Sequence, residues 1–171
     1  MIGIDVYIDS YTKIKNIDKA IIGNHVGIDC FTYISSQLEI GDYVHISSNV
    51  SVIGGLQSKL IMEDFTSISA GCRIICCSDN FNESLLNPLV PIKYRQILGS
   101  FVKFERFSAI GTNCIVKWDV TLAEGSIVGM GGVLINNTIP WGIYIGNPAR
   151  LIGYRNKENI LDNAKKLGYD Y

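Results

Sequence analysis

An apolar residue returns at every sixth position over most of this chain. The beat runs through Ile22, Ile28, Ile34, Ile40, Ile46 and Val52, slips by four residues, continues at Met62, Ile68 and Ile74, and resumes at Phe104, Ile110, Val116, Leu122, Val128 and Leu134. A period of six suits neither an amphipathic helix, which repeats near 3.6, nor a plain strand, which repeats at 2. It suits a short strand followed by a corner, over and over. Four places after many of these residues sits a smaller side chain (Val26, Thr32, Val44, Val50, Thr66, Cys72, Ser78, Ser108, Cys114, Val120, Ser126), and the next position is often Gly, Ser or Ala. The large residue fills an interior layer, the smaller one completes it, and the short residues tolerate the turn. Three hexads close one triangular coil. The fifteen hexads therefore give five coils, and Ile4, Ile8, Ile14 and Ile17 suggest a sixth. The expected fold is all-β, a parallel β-helix of five to six coils.

Composition narrows what such a prism can do. The chain has 171 residues, enough for one domain over 1–171; with 47% apolar and 18% charged residues it has the means to bury a core. A net charge of -1 offers no electrostatic footprint for nucleic acid or an anionic membrane. The N-terminus "MIGIDVYIDS" lacks a basic region before an apolar run, and no stretch approaches a membrane span, so a cytoplasmic protein is expected. Cys30, Cys72, Cys76, Cys77 and Cys114 match no zinc spacing and read as small interior fillers. Open solenoid ends need covering. The segment "NKENILDNAKKLG" supplies a short α-helix over about 156–168, with Asn156 as N-cap, Ile160, Leu161, Ala164 and Leu167 on one face and Gly168 as stop.

The hexad pattern, together with "IPWGIYIGNPARLIG" beyond the last coil, resembles the hexapeptide-repeat acyltransferases, whose fold is a left-handed parallel β-helix. The resemblance spans roughly residues 14–153. It implies acetyl-CoA as cosubstrate, no metal, and homotrimers with active sites between neighbouring subunits. The gamma carbonic anhydrases share the fold but resemble a three-histidine zinc site, and this chain has only His25 and His45. Carried over by position, the resemblance puts coenzyme contacts at Thr112, Met130, Ile135, Asn136 and Arg150. Ile135-Asn136 stands where the family usually has Thr-Lys. Arg150 offers a fixed fork of donors for a phosphate.

The beat stops between Ile74 and Phe104, and residues 80–103 read as a protruding loop, longer than an ordinary connection. In the galactoside and maltose types of the family a catalytic His lies early in this loop. Here the place reads Ser78-Asp79-Asn80, and "SDNF" with the later "NPLVPIKY" resembles a sugar and nucleotide-sugar branch. Asp79 and His45 are the candidate catalytic groups. His45 precedes the inward Ile46, so strand alternation turns it outward. Ser47, Asn49, Asn80, Lys93, Tyr94 and Arg95 are candidates for the acceptor. The leading expectation is N-acetylation of a nucleotide-linked amino sugar by direct attack on the thioester. O-acetylation of a sugar hydroxyl and a non-catalytic binding or assembly role remain open from sequence.

Overall fold

The computed structural model describes residues 1–171. Its strands form three walls of parallel sheet. The first wall stacks Ile21–Ile22, Gln37–Ile40, Lys59–Met62, Phe101–Phe104 and Val120–Leu122. The second stacks Val6–Ile8, Val26–Ile28, His45–Ile46, Ser67–Ile68, Ala109–Ile110, Ile127–Val128 and Gly142–Ile145. The third stacks Lys13–Ile14, Tyr33–Ile34, Ser51–Ile53, Arg73–Ile75, Ile115–Val116 and Val133–Leu134. Hexad residues pair in register, for example Ile40 with Met62, Met62 with Phe104 and Phe104 with Leu122. All fifteen are at most 3% exposed. They fill the prism as the six-residue period requires.

The N-terminal phase differs from the expectation. Ile8 and Ile14 occupy rungs and Ile2 bridges to Ile22, whereas Ile4 and Ile17 are exposed. A 3-10 turn at Ile17–Lys19 inserts two extra residues between Ile14 and Ile22 and shifts the beat. Counting Tyr144 at the far end of the second wall, that wall has seven parallel rungs. Ser78 is also not an interior filler. It opens a hairpin in which Ser78–Asp79 pairs antiparallel with Ile97–Leu98. The protruding arm is therefore shorter than 80–103, because Phe101–Phe104 already belongs to the first wall.

At the corner between the first and second walls, His25, Tyr43, Phe65, Phe107 and Trp141 all have positive φ and stack as a ladder, with successive ring centroids 4.6, 5.1, 5.3 and 6.0 Å apart. Gly125, with φ of +67°, holds the corner between Phe107 and Trp141, and a Cβ there would lie 2.3 Å from the Trp141 ring. The C-terminal helix α1 (Glu158–Lys166) packs on this ladder through Ile160, Ala164 and Leu167. It does not close the solenoid end, as expected from sequence; it runs back along the corner. Arg155 donates to the Phe107 and Gly125 carbonyls at its start, and beyond it the Tyr169 and Tyr171 hydroxyls donate to Asp42 and Asp64. Asn156 accepts the Glu158 N–H at 3.1 Å, and Gly168 at φ +92° ends the helix.

Candidate active site

The third wall and the arm enclose a cleft of about 620 Å3. Three rungs of that wall put Lys15, Ser35 and Ile53 into one outward column, since the Lys15 N–H donates to the Ile34 carbonyl and the Ser35 N–H to the Val52 carbonyl; Ile53 pairs onward with Ile75. The arm closes the other side with Asp79, Pro88 and Arg95. Arg95 Nε–H donates to Asp79 Oδ1 at 2.8 Å, and the two side chains are only 15% and 12% exposed. Asp79 has no other side-chain partner, so Oδ2 is open to accept a proton or a hydrogen bond. Arg95 also donates to the Pro88 carbonyl at 3.3 Å, which ties the arm's far limb to the pair.

Of the other arm candidates, Asn80 is spent on the loop. Its amide donates to Gln96 Oε1 at 2.6 Å and its oxygen accepts the Asn82 N–H. Lys93 lies 4.8 Å over the Tyr94 ring, and of the three consecutive candidates only Arg95 lines the cleft. His45, Ser47 and Asn49 lie on the second wall and its following corner, apart from Asp79 within one chain. The structure shows a partner that sequence reasoning missed: Asp29 Oδ2 sits 3.0 Å from His45 Nε2. A proton on Nε2 satisfies that carboxylate and leaves Nδ1 as an acceptor. The His45 ring lies over Gly27, where an added Cβ would come within 3.3 Å of Cδ2.

The coenzyme candidates border the last rungs of the third wall from both sides. Thr112 and Met130 are at the preceding corner, where the Gly131 N–H donates to the Thr112 carbonyl and Met130 is 81% exposed. Ile135 and Asn136 follow Val133–Leu134. Arg150 pairs with Ile145 across the antiparallel edge, and its guanidinium touches only its neighbour's carbonyl, at 3.4 Å, so its donors are free for a phosphate. Asp79 follows Arg73–Ile75 and thus stands between the rungs that carry the coenzyme candidates and the cleft's lower rungs.

Cysteine chemistry is not prominent. All five thiols are free. Cys77 lines the cleft, but its Sγ–H donates to the Gly54 carbonyl at 2.9 Å and burial pushes its pKa up; burial likewise pushes Cys76 up to about 12. Neither is a ready acyl carrier. No group of three or more His, Cys, Asp or Glu is arranged to hold a metal ion. The larger groove, about 780 Å3 on the first wall, contains none of the candidates; its Lys103 is paired with Glu63 at 2.8 Å and its Arg106 with Glu124 at 3.0 Å.

No protein-family model matches the chain. It is 30% identical over 161 residues to the dTDP-4-amino-4,6-dideoxy-D-glucose acyltransferase of Escherichia coli, covering 92% of this chain and 83% of that protein. The chain belongs to the β-helix nucleotide-sugar acyltransferase family. The crystal structure of AntD, an N-acyltransferase from Bacillus cereus in complex with dTDP and 3-hydroxybutyryl-CoA, superposes with a TM-score of 0.91 at 29% identity over 98% of this chain and 89% of that one. A maltose O-acetyltransferase from Clostridium difficile shares the fold, with a TM-score of 0.66 at 15% identity, 81% of this chain and 72% of that one. This member of the family is an acyl-CoA-dependent N-acyltransferase acting on a nucleotide-linked amino sugar, and the non-catalytic alternative is set aside. No helix is long and apolar enough to cross a membrane.

Proposed function

We propose that this acyltransferase moves a short acyl group from coenzyme A to the amino group of a dTDP-linked amino-dideoxysugar, with Asp79 orienting the amine. The observation that carries the reading is the Asp79–Arg95 pair, set in the cleft at the boundary between the coenzyme rungs and the lower rungs of the third wall. The dTDP-linked sugar follows from the relatives, one acting on dTDP-4-amino-4,6-dideoxy-D-glucose and AntD having been crystallised with dTDP-4-amino-4,6-dideoxyglucose and coenzyme A. AntD structures include variants at one serine and at one aspartate ten residues later, and Ser69 with Asp79 is the only Ser–Asp pair at that spacing here. Ser69 sits one rung beyond Ser47, because Ile46 and Ile68 pair in register.

In this mechanism the neutral amine donates an N–H to Asp79 Oδ2, which aims its lone pair at the thioester carbonyl. A new C–N bond forms, the tetrahedral intermediate collapses, the C–S bond breaks, and the amine proton leaves with the coenzyme A thiol. The products are an amide and free coenzyme A. Orientation and charge placement supply the rate, with no covalent acyl-enzyme.

A homotrimer suits the arrangement. The arm exposes Phe81, Leu85, Leu86, Leu89 and Ile92, an apolar surface that a neighbouring prism would cover, and such packing would bring His45 or Ser69 of one subunit toward Asp79 of the next. Five free thiols fit the reducing cytoplasm, where acyl-coenzyme A is made. The test is a thiol-release assay with acetyl-CoA and 3-hydroxybutyryl-CoA against dTDP-linked, UDP-linked and free amino sugars. The reading expects release only with a nucleotide-linked amine, and fails if free amino sugars serve equally well. Sedimentation at micromolar concentration should give three chains; a monomer with full activity would remove the intersubunit site.

A further inference from the structure

We propose that the cavity between helix α1 and the ring ladder is a binding site for a small carboxylate with an apolar body, held by Arg155. The cavity, about 270 Å3, lies at the corner between the first and second walls and shares no residue with the cleft that holds Asp79. Its volume is below that of a pocket for a drug-sized molecule and suits a single ring or a short chain. Phe65 and Phe107 form the floor, and Ile160, Ala164 and Leu167 of α1 form the roof. Ala164 is 2% exposed and its small side chain lets the helix come close to the rings, whereas Leu167 stays 57% exposed and leaves the space beside it open. Phe65 and Phe107 spend their faces on the stack, with centroids 5.3 Å apart and planes 8° from parallel, so they turn their edges toward α1. The edge is the electropositive part of an aromatic ring.

Arg155 lines this cavity with its guanidinium already fixed. Its Nη1 donates to the Phe107 and Gly125 carbonyls, both at 2.7 Å, and its backbone N–H donates to the Trp141 carbonyl at 2.8 Å. Nε and Nη2 make no hydrogen bond within the chain, and together they are the edge of a guanidinium that takes a carboxylate side-on through two parallel bonds. Arg155 has no carboxylate partner; burial lowers its pKa and no acidic group offsets that. Asn163, on the helix side of the same cavity, accepts from Lys166 Nζ at 3.4 Å and keeps its amide N–H donors free. Uncommitted donors therefore meet an apolar floor at one place. A carboxylate satisfies the guanidinium edge, and an apolar body attached to it covers the ring edges; inorganic phosphate would do only the first.

The experiment is calorimetry of the full chain with benzoate, benzamide, acetate and inorganic phosphate, using the wild type and Arg155→Gln, together with hydrogen exchange of the wild type over residues 158–167 with and without benzoate. Benzoate should bind at millimolar concentration, and the other three about tenfold or more weakly, benzamide for want of the charge, acetate and phosphate for want of the ring. Arg155→Gln keeps a donor for one of the two carbonyls; it should weaken benzoate about tenfold and keep coenzyme A binding, which reports a correct fold. Benzoate should slow exchange in α1, because the occupant bridges the helix to the ladder and binds only the docked state. Benzamide or phosphate binding as tightly as benzoate overturns the carboxylate assignment. Benzoate that leaves α1 exchange unchanged, or that binds a folded Arg155→Gln protein as well as wild type, overturns the location, and no binding of benzoate at millimolar concentration overturns the site. Should Arg155→Gln fail to fold, the wild-type series and the exchange decide.

Discussion

Replacing Asp79 separates the proposed catalytic role from a structural one, because the first is assigned to Oδ2 and the second falls on Oδ1. Oδ1 holds Arg95 at 2.8 Å inside a pair whose side chains are 12% and 15% exposed. Asp79→Ala strands that guanidinium in a largely closed site, where breaking a buried pair costs about 3–5 kcal/mol. The loss would fall on the arm, whose two limbs are joined at this point by the Asp79–Ile97 pairing and the Asn80 N–H to Gln96 carbonyl bond. Asp79→Asn keeps an oxygen that can accept from Arg95 Nε and gives up only the charge, at about 1–2 kcal/mol. The isosteric variant should therefore keep a folded arm and still lose turnover by about a hundredfold, the range for a reactant no longer held in line. Thiol release at saturating acyl-CoA gives kcat, and hydrogen exchange over residues 80–96 reports the arm. A folded Asp79→Asn protein with kcat within about threefold of wild type would refute the role assigned to Oδ2. If the alanine and asparagine variants both expose the arm equally, Asp79 is a strut and the geometry has been misread.

Four further outcomes follow from other parts of the molecule. Arg150→Ala should raise the Kd for coenzyme A about tenfold by calorimetry and leave dTDP binding unchanged, because Arg150 is the proposed phosphate contact and is not among the residues that line the cleft. Gly125→Ala forces a side chain into positive φ and against Trp141 at 2.3 Å, which should cost about 1–3 kcal/mol in a denaturant titration and alter the near-ultraviolet signal of the ring ladder. The Tyr169 clamp should open at high pH: donation to Asp42 raises the folded pKa to about 12 from the usual 10, so its contribution is complete below pH 10 and is lost as the pH rises through about 12. On the acid side the clamp holds longer than an ordinary carboxylate would allow, since the Asn24 N–H and then the Tyr169 hydroxyl lower the Asp42 pKa; tail proteolysis across pH measures both limits. Of the five thiols only Cys30 should react quickly with a thiol reagent in the native protein, the other four being buried.

The walls were legible because six-residue spacing forces each hexad residue onto the residue one coil below, whatever else the chain contains. The arm was legible as the place where that spacing fails. Its true extent was not, because Phe101, Val102 and Lys103 carry no hexad signal of their own and are drawn into the first wall by pairing with Lys59, Leu60 and Ile61. The N-terminal phase was hidden by an excess of isoleucine: Ile4 and Ile17 look like rung residues, and only the 3-10 turn shows which isoleucines face in. Helix α1 was found within two residues at either end, but where it docks depends on the ring ladder, whose members are distant in sequence. The candidate site residues split along the same line. Asp79 and Arg95 stood out by their place in the arm. Asp29 and Lys15 did not, since each becomes meaningful only when coils are written one above another, Asp29 two residues after Gly27, which pairs with His45, and Lys15 beneath Ser35 and Ile53.

Amide formation on a nucleotide-linked amine leaves a product that mass spectrometry identifies. Incubated with acetyl-CoA and dTDP-4-amino-4,6-dideoxyglucose, the enzyme should yield a nucleotide sugar heavier by one acetyl group, with one free coenzyme A per product, and hydroxylamine should not remove that acetyl. An acetyl released by hydroxylamine, or equally fast acetylation of the corresponding 4-hydroxy sugar, would mean ester formation and contradict an N-acyltransferase.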